Sequence, residues 1–248
     1  MINMMYLVFI AMLALNIGKE VLATLGILNN DLQNSITELE ASSAANYAQI
    51  ESNANSADYM IAASQVIDMK KEADEFFNLV QGIKDSLIIG EDGVANKYLK
   101  EVNVKGTDSV ITITAYQEMD KSQVLDEYFF EGDMLTVKGQ EFLDKYQSFP
   151  SSVTKILETI VFMEEEAKIA RTALDGSKGE DGVQIEYDFA SSKNDLKNRF
   201  NYTPQVVNSE GTLQEFLSYN FYGFPVVASL AKLTKIQADI RYIENKVL

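Results

Sequence analysis

Residues 1–18 (MINMMYLVFIAMLALNIG) contain no charged side chain, although the 248-residue chain carries a formal net charge of −16. As an α-helix this segment would be about 27 Å long, close to the hydrocarbon thickness of a bilayer. A cleaved signal peptide would need basic residues before the apolar run and a small-x-small cleavage site, and a soluble core helix would show a polar face. The segment has none of these features and predicts a transmembrane helix, with the other two assignments as alternatives.

Lys19 and Glu20 follow the apolar segment directly and predict the point where the helix leaves the membrane. We expect residues 1–28 to form the membrane helix and its exit, and residues 29–248 to form a first periplasmic helical domain. The positive-inside rule does not orient the span, because no basic residue precedes it. We expect the acidic remainder on the translocated side and a short basic leader before Met1.

A second pattern in the same helix predicts pairing with another copy of the chain. Apolar residues recur at alternating spacings of three and four, and the small residues among them would let two helix backbones approach closely in lipid. The predicted seam consists of Met4, Leu7, Ala11, Ala14, Gly18, Val21 and Leu25, and it continues through Leu28 and Leu32. This pattern indicates a parallel homodimer whose helices continue out of the membrane.

Three polar residues of the span, Asn3, Tyr6 and Asn16, lie off this seam on a helical projection. Deep in lipid they would need hydrogen-bond partners from other protein, which predicts a ring of partner helices around the pair. The alternative is that they lie at the membrane interfaces. The span contains no carboxylate, so a proton-driven motor would need its titrating acid from another subunit.

Composition argues against an enzyme. The chain has no His and no Cys, so it lacks the commonest zinc ligands and the commonest general base. Its 37 acidic residues outnumber 21 basic ones, and such a surface repels nucleic acid phosphates. We predict no catalytic residue, no cofactor, no metal ligand and no nucleic acid partner.

The remainder of the chain predicts a mainly α fold. Apolar residues recur at helical spacing over residues 57–89 and 153–174. A final helix is expected with Pro225 in its first turn and with an apolar stripe formed by Val227, Leu230, Leu233, Ile236, Ile240, Ile243 and Val247. The segments SVITITAY (109–116) and VQIEYDF (183–189) are rich in β-branched or alternating apolar residues. We therefore expect a helical bundle with a small β-ribbon.

Two segments resemble the GldM/PorM family of gliding-motility and type IX secretion proteins of Bacteroidetes. They are MINMMYLVFIAMLALNIGKEVL at the start of the chain and NFYGFPVVASLAKLTKIQADIRYIENKVL at its end. The resemblance covers about fifty residues, and the middle of the chain carries no equally specific motif. Family members usually have a basic stretch before the position of Met1 and further β-rich domains after the position of Leu248, so this chain resembles an excerpt.

The resemblance implies an inner-membrane motor driven by the proton gradient. Two helices would lie inside a ring of GldL subunits, which supply the titrating carboxylate, and the chain would reach through the periplasm towards outer-membrane secretion and gliding components. By matching position, Asn3, Tyr6 and Asn16 would face the GldL ring, and Lys19 with Glu20 would mark the periplasmic exit.

The leading hypothesis is therefore a non-enzymatic, dimeric component that transmits motion through a continuous helix, since a flexible linker could not do so. Gly26 is the expected weak point of that helix. The alternative is a single-span periplasmic sensor or a passive tethering scaffold.

Overall fold

The structure is a computed structural model that describes the backbone of residues 2–53, 60–90, 96–175 and 189–248. Side chains are described for residues 18–52, 63–90, 96–158 and 189–248. The helices in this part of the chain are α1 (Ile2–Asn53), α2 (Met60–Ile88), α3 (Gln123–Phe129), α4 (Val137–Asp175), α5 (Phe189–Arg199), α6 (Phe216–Phe221) and α7 (Val226–Val247). The predicted mainly helical class is confirmed.

The strands form three separate two-stranded antiparallel ribbons in the described residues. They are β1 (Leu99–Asn103) with β2 (Val110–Thr114), β3 (Phe130–Glu131) with β4 (Met134–Leu135), and β5 (Gln205–Val207) with β6 (Leu213–Glu215). The prediction of a strand in SVITITAY is confirmed by β2, whose partner β1 was not predicted. Of the other predicted strand, residues 183–188 lie outside the described residues, and Phe189 begins α5.

Helix α1 is unbroken over 52 residues and continues well past the predicted membrane exit. Among the helices whose side chains are described, none is both long and apolar enough to span a membrane. The side chains of the predicted span lie outside that part of the chain, apart from Gly18. The prediction of a transmembrane helix is therefore not confirmed.

Helix α4 begins at Val137, so the prediction that it begins at Val153 was wrong. Pro150 lies inside the helix, three residues before the predicted start, and removes one backbone hydrogen bond. Phe142 and Phe149, on the turns before the proline, are fully buried, and their burial offsets the loss. Pro225, predicted in the first turn of α7, lies one residue before it, and its carbonyl accepts a hydrogen bond from the amide of Ser229 at 3.0 Å.

The chain divides into two compact units, each of which takes segments from α1, α2, α4 and α7. Unit 1 comprises residues 1–35, 79–140 and 204–236, and unit 2 comprises residues 36–78, 141–203 and 237–248.

All three ribbons belong to unit 1, whose core contains Phe129 and Phe221 in an edge-to-face pair 5.4 Å apart. The start of α7 is fixed by backbone bonds, from the amide of Val226 to the carbonyl of Lys121 at 2.9 Å and from the amide of Val227 to the carbonyl of Met119 at 3.3 Å. All residues of α7 except Lys235 are buried or partly buried, whereas the sequence pattern predicted a single apolar face.

Aromatic rings fill the core of unit 2. Phe149 lies 5.2 Å from Phe76 and 4.9 Å from Phe200, and all three rings are buried. Such tilted and edge-on pairs add to the stabilisation from buried area. They join α2, α4 and the end of α5 around the second half of α7.

Gly26 of α1 has a packing role that the sequence did not indicate. It is buried against Tyr116, and a Cβ atom built on it would lie 2.2 Å from Cγ of that ring. The hydroxyl of Tyr116 in turn donates a hydrogen bond to the side-chain oxygen of Asn30 at 2.5 Å. The absence of a side chain at Gly26 therefore allows α1 and Tyr116 to approach closely.

Substituting Gly26→Ala tests this role. Alanine favours a helix by about 1 kcal/mol, but overpacking against Tyr116 should cost about 1–3 kcal/mol and leave the variant less stable than the wild type. Gly82→Ala in α2 is the matched control, because a Cβ there meets no atom within 4 Å, and it should stabilise the protein. Urea unfolding of the purified variants measures both changes, and a gain in stability for Gly26→Ala would contradict the packing role.

Candidate functional site: the polar contacts that hold the first helix

The residues predicted to face a partner ring, Asn3, Tyr6 and Asn16, lie in the helical backbone of α1, and their side chains lie outside the described residues. The same is true of the first part of the predicted seam, which consists of Met4, Leu7, Ala11 and Ala14. These assignments stay predictions.

The described part of the seam begins at the predicted membrane exit. Gly18, Lys19 and Glu20 are exposed, Val21 keeps 52% of its surface, and Leu25 is partly buried. The exposed positions leave this face of α1 open within one copy of the chain, and the first fully buried residue is Leu22, beside the seam.

In unit 1, α1 is fixed by a buried amide. Asn29 is buried, and its side-chain oxygen accepts a hydrogen bond from the hydroxyl of Thr234 in α7 at 2.8 Å. Its side-chain nitrogen donates to the hydroxyl of Tyr116 at 3.4 Å. A buried amide needs such partners, because leaving it unpaired costs about 1–3 kcal/mol.

In unit 2, α1 is fixed by a cluster of charged side chains around Arg241, which we call the Arg241 cluster: Glu40, Asp74, Arg241 and Glu244. Arg241 in α7 is buried. Its Nε donates to Glu40 of α1 at 3.0 Å, and its Nη1 donates to Asp74 of α2 at 2.7 Å and to Glu244 at 2.8 Å. One guanidinium thus connects three helices.

Two further bonds join α1 to α7 next to this cluster. The hydroxyl of Tyr47 donates to Oε1 of Glu244 at 2.7 Å, and the side-chain nitrogen of Asn245 donates to the hydroxyl of Ser43 at 3.2 Å. Tyr47 and Ser43 are both buried. Of the described residues of α1 in unit 2, the remaining fully buried one is Ile36, so polar contacts dominate this helix pair.

The electrostatics of the cluster favour its charged form. Burial alone would lower the pKa of Arg241, but its hydrogen bonds and its attraction to Asp74 and Glu244 outweigh burial and raise that pKa. Burial would likewise raise the pKa of Asp74, but hydrogen bonds from Lys70 and Arg241 lower it below 3.8. Burial and the neighbouring Glu244 raise the pKa of Tyr47, so it stays a donor. The stabilisation from Asp74 is therefore present above about pH 4 and is lost as the pH falls through its lowered pKa.

The opposite side of α7 is also held by charges. Asp239 pairs with Arg199 of α5, whose guanidinium stacks 3.6 Å above the ring of Tyr242. The hydroxyl of Tyr242 donates to Asp195 at 3.0 Å, and Lys246 pairs with the same carboxylate. Helix α7 is thus bonded to α1, α2 and α5 within unit 2.

One feature of the sequence indicates this cluster, but the prediction of α7 from apolar spacing did not take it into account. Arg241 and Glu244 each directly follow an apolar residue of the predicted α7 stripe, Ile240 and Ile243, and so lie next to its buried face. Long charged residues at such positions need buried partners. The partners Glu40 and Asp74 lie far away in sequence, and the pattern alone does not identify them.

The arrangement positions helices and does not activate a reacting group. Its carboxylates and its guanidinium satisfy each other, and Glu244 also accepts the hydrogen bond from Tyr47. Among the side chains that the structure describes, no cluster of three or more acidic residues is arranged to hold a metal ion.

The model of the family described as the GldM N-terminal domain matches residues 20–248. The chain belongs to the GldM family. The family is a structural motor component of gliding motility and type IX secretion, it is membrane-associated, and its members associate with other components of those systems. No curated protein matches the chain. The match to GldM begins at Glu20 and covers both units, so α1 beyond the predicted exit and the Arg241 cluster both lie within the family domain.

Substituting Arg241→Met tests the cluster. Methionine preserves part of the apolar stem but removes the guanidinium, which lies 4.1 Å from the centre of the Phe77 ring, and leaves the buried carboxylate of Glu244 without its cation. Breaking a buried ion pair from one side costs about 3–5 kcal/mol. Lys70→Met is the control, because that half-exposed side chain pairs with Asp74 and its ammonium lies 5.5 Å from the centre of the Tyr47 ring, and exposed contacts of this kind should contribute no more than about 1 kcal/mol. Urea unfolding measures both, and equal losses would contradict the cluster's role.

Proposed function

We propose that this chain is a non-enzymatic component of an inner-membrane motor driven by the proton gradient, which powers type IX protein secretion and gliding. Residues 1–28 form the single membrane helix and its exit, and residues 29–248 form the first domain in the periplasm. Membership of the GldM family supports the motor role. The absence of charge from residues 1–18 supports the membrane helix.

The proposed assembly is a parallel homodimer inside a ring of GldL-like multi-span subunits. The dimer seam comprises Met4, Leu7, Ala11, Ala14, Gly18, Val21 and Leu25, and Asn3, Tyr6 and Asn16 contact the ring. The ring supplies the titrating carboxylate, since the span has none. Outer-membrane secretion and gliding components receive the motion.

The observation that carries the proposal is the unbroken helix α1, which continues from the apolar segment to Asn53. It is bonded to α7 at Asn29 in unit 1 and at Glu40, Ser43 and Tyr47 in unit 2. A continuous helix with such attachments can transmit rotation or tilt, whereas a flexible linker would absorb both.

The experiment interrupts α1 between Glu20 and Val21, before Leu22, the first buried residue in the described part of the helix, so that the contacts described above stay in place. A flexible Gly/Ser insertion of two helical turns, about seven residues, should reduce secretion of cargo and gliding to background. The control is a helix-forming insertion of the same length, which returns the helix to nearly the same face and should preserve most activity.

The complex must stay assembled for this comparison to be valid. Purification in detergent should recover a multi-span partner in excess over this chain for the wild type and for both insertion variants. The alternative, a single-span sensor or passive tether, predicts recovery of the chain alone or as a simple dimer. Full secretion with the flexible insertion would contradict transmission through α1.

A further inference from the structure

The attachment of α1 in unit 2 is unusual for a helix pair because it depends on directional bonds. Apolar contacts have no preferred direction, so a helix held by them alone can shift along its neighbour at little cost. Hydrogen bonds weaken steeply when their distance or angle changes. Glu40, Ser43 and Tyr47 of α1 each bond a different residue of α7, namely Arg241, Asn245 and Glu244.

We infer that these six residues, the α1–α7 lock, are the positioning residues through which movement of α1 is passed to α7. This inference rests on the proposed function and specifies where in the domain the motion is transferred. The three bonds span Glu40 to Tyr47, about 10 Å of helix. Turning α1 by one residue, about 100°, would move all three donors or acceptors away from α7, and sliding it by one turn would break every bond.

The α7 side of the lock is braced by charged contacts to α2 and α5, whereas on the α1 side the ammonium of Lys70 in α2 lies 5.5 Å from the centre of the Tyr47 ring. Arg241 is also bound by Asp74 of α2 and stacks on Phe77, and Asp239 pairs with Arg199 of α5. A load on Arg241 is therefore shared with α2, and a load on α7 is shared with α5. Glu40, in contrast, retains 44% of its side-chain surface.

Substitutions in α1 alone can therefore remove the bonds of the lock without leaving the buried cation of Arg241 unpaired. In the triple variant Glu40→Ala, Ser43→Ala and Tyr47→Phe, Arg241 keeps both Asp74 and Glu244. We expect the variant to fold and to remain in the complex, while secretion and gliding fall at least about tenfold because α1 slips against α7. Circular dichroism and co-purification measure folding and assembly.

The control is the double variant Glu38→Ala and Ser42→Ala, which removes exposed side chains from the same turns of α1. It should secrete as the wild type does. Wild-type secretion by the triple variant would overturn the inference. If the flexible insertion after Glu20 abolishes secretion while the triple variant does not, the inference fails and the proposed function stands.

A cross-link provides the reciprocal test. The cross-link is specific to the introduced cysteines because the native chain contains none. In a variant with Glu40→Ala, Tyr47→Phe, Ser43→Cys and Asn245→Cys, a short bifunctional thiol reagent should join α1 to α7 and restore secretion. Failure of secretion to return after a cross-link confirmed by gel mobility would overturn the inference.

The Ser43→Cys and Asn245→Cys pair in the otherwise native chain gives a readout that does not depend on the triple variant. The substitutions themselves remove one of the three bonds, so the comparison is made within this variant. The lock requires these two positions to stay together throughout the working cycle, so secretion should be no lower after cross-linking than before it. Loss of secretion on cross-linking would show that α1 must move along α7 and would overturn the inference.

Discussion

Burying a guanidinium requires partners, and the partners of Arg241 come from three helices. Its charge is retained because Asp74 and Glu244 raise its pKa despite burial, and Glu40 adds a bond from α1. Networks of this kind add little net stability compared with apolar packing, yet each partner is costly to remove. Their consequence is geometric: once Arg241 is placed, α1, α2 and α7 have one register with respect to each other in unit 2.

This constraint distinguishes the attachment of α1 from that of the other helices. Its surface in unit 2 is mostly exposed, and Ile36 is its single fully buried aliphatic residue there in the described part of the chain. In unit 1, α1 is held by the close approach of Gly26 to Tyr116 and by the hydrogen bond of the buried Asn29 amide. A helix that is attached by directional bonds suits a mechanical component of the kind the GldM family represents.

Local pattern predicted much of this fold, and contacts distant in sequence explain the remainder. The spacing of apolar residues predicted α2 and α7, and β-branched residues predicted β2, because both signals are local. The start of α4 was missed because the apolar spacing was traced only from Val153, whereas Phe142 and Phe149 before it are buried in the core. The Arg241 cluster was missed because Glu40, Asp74 and Arg241 are brought together only by tertiary packing, and the role of Gly26 depends on Tyr116 in the same way.

The most direct measurement of the central claim is the distance between α1 and α2 in unit 2 while the motor runs. Spin labels at Ala44→Cys and Lys71→Cys, both exposed positions in a chain without native cysteine, report this distance by pulsed electron resonance in the membrane complex. If the Arg241 cluster holds the helices in one register, the distance distribution stays narrow and unchanged with and without a proton gradient. A distribution that shifts or broadens when the gradient is applied would contradict the account.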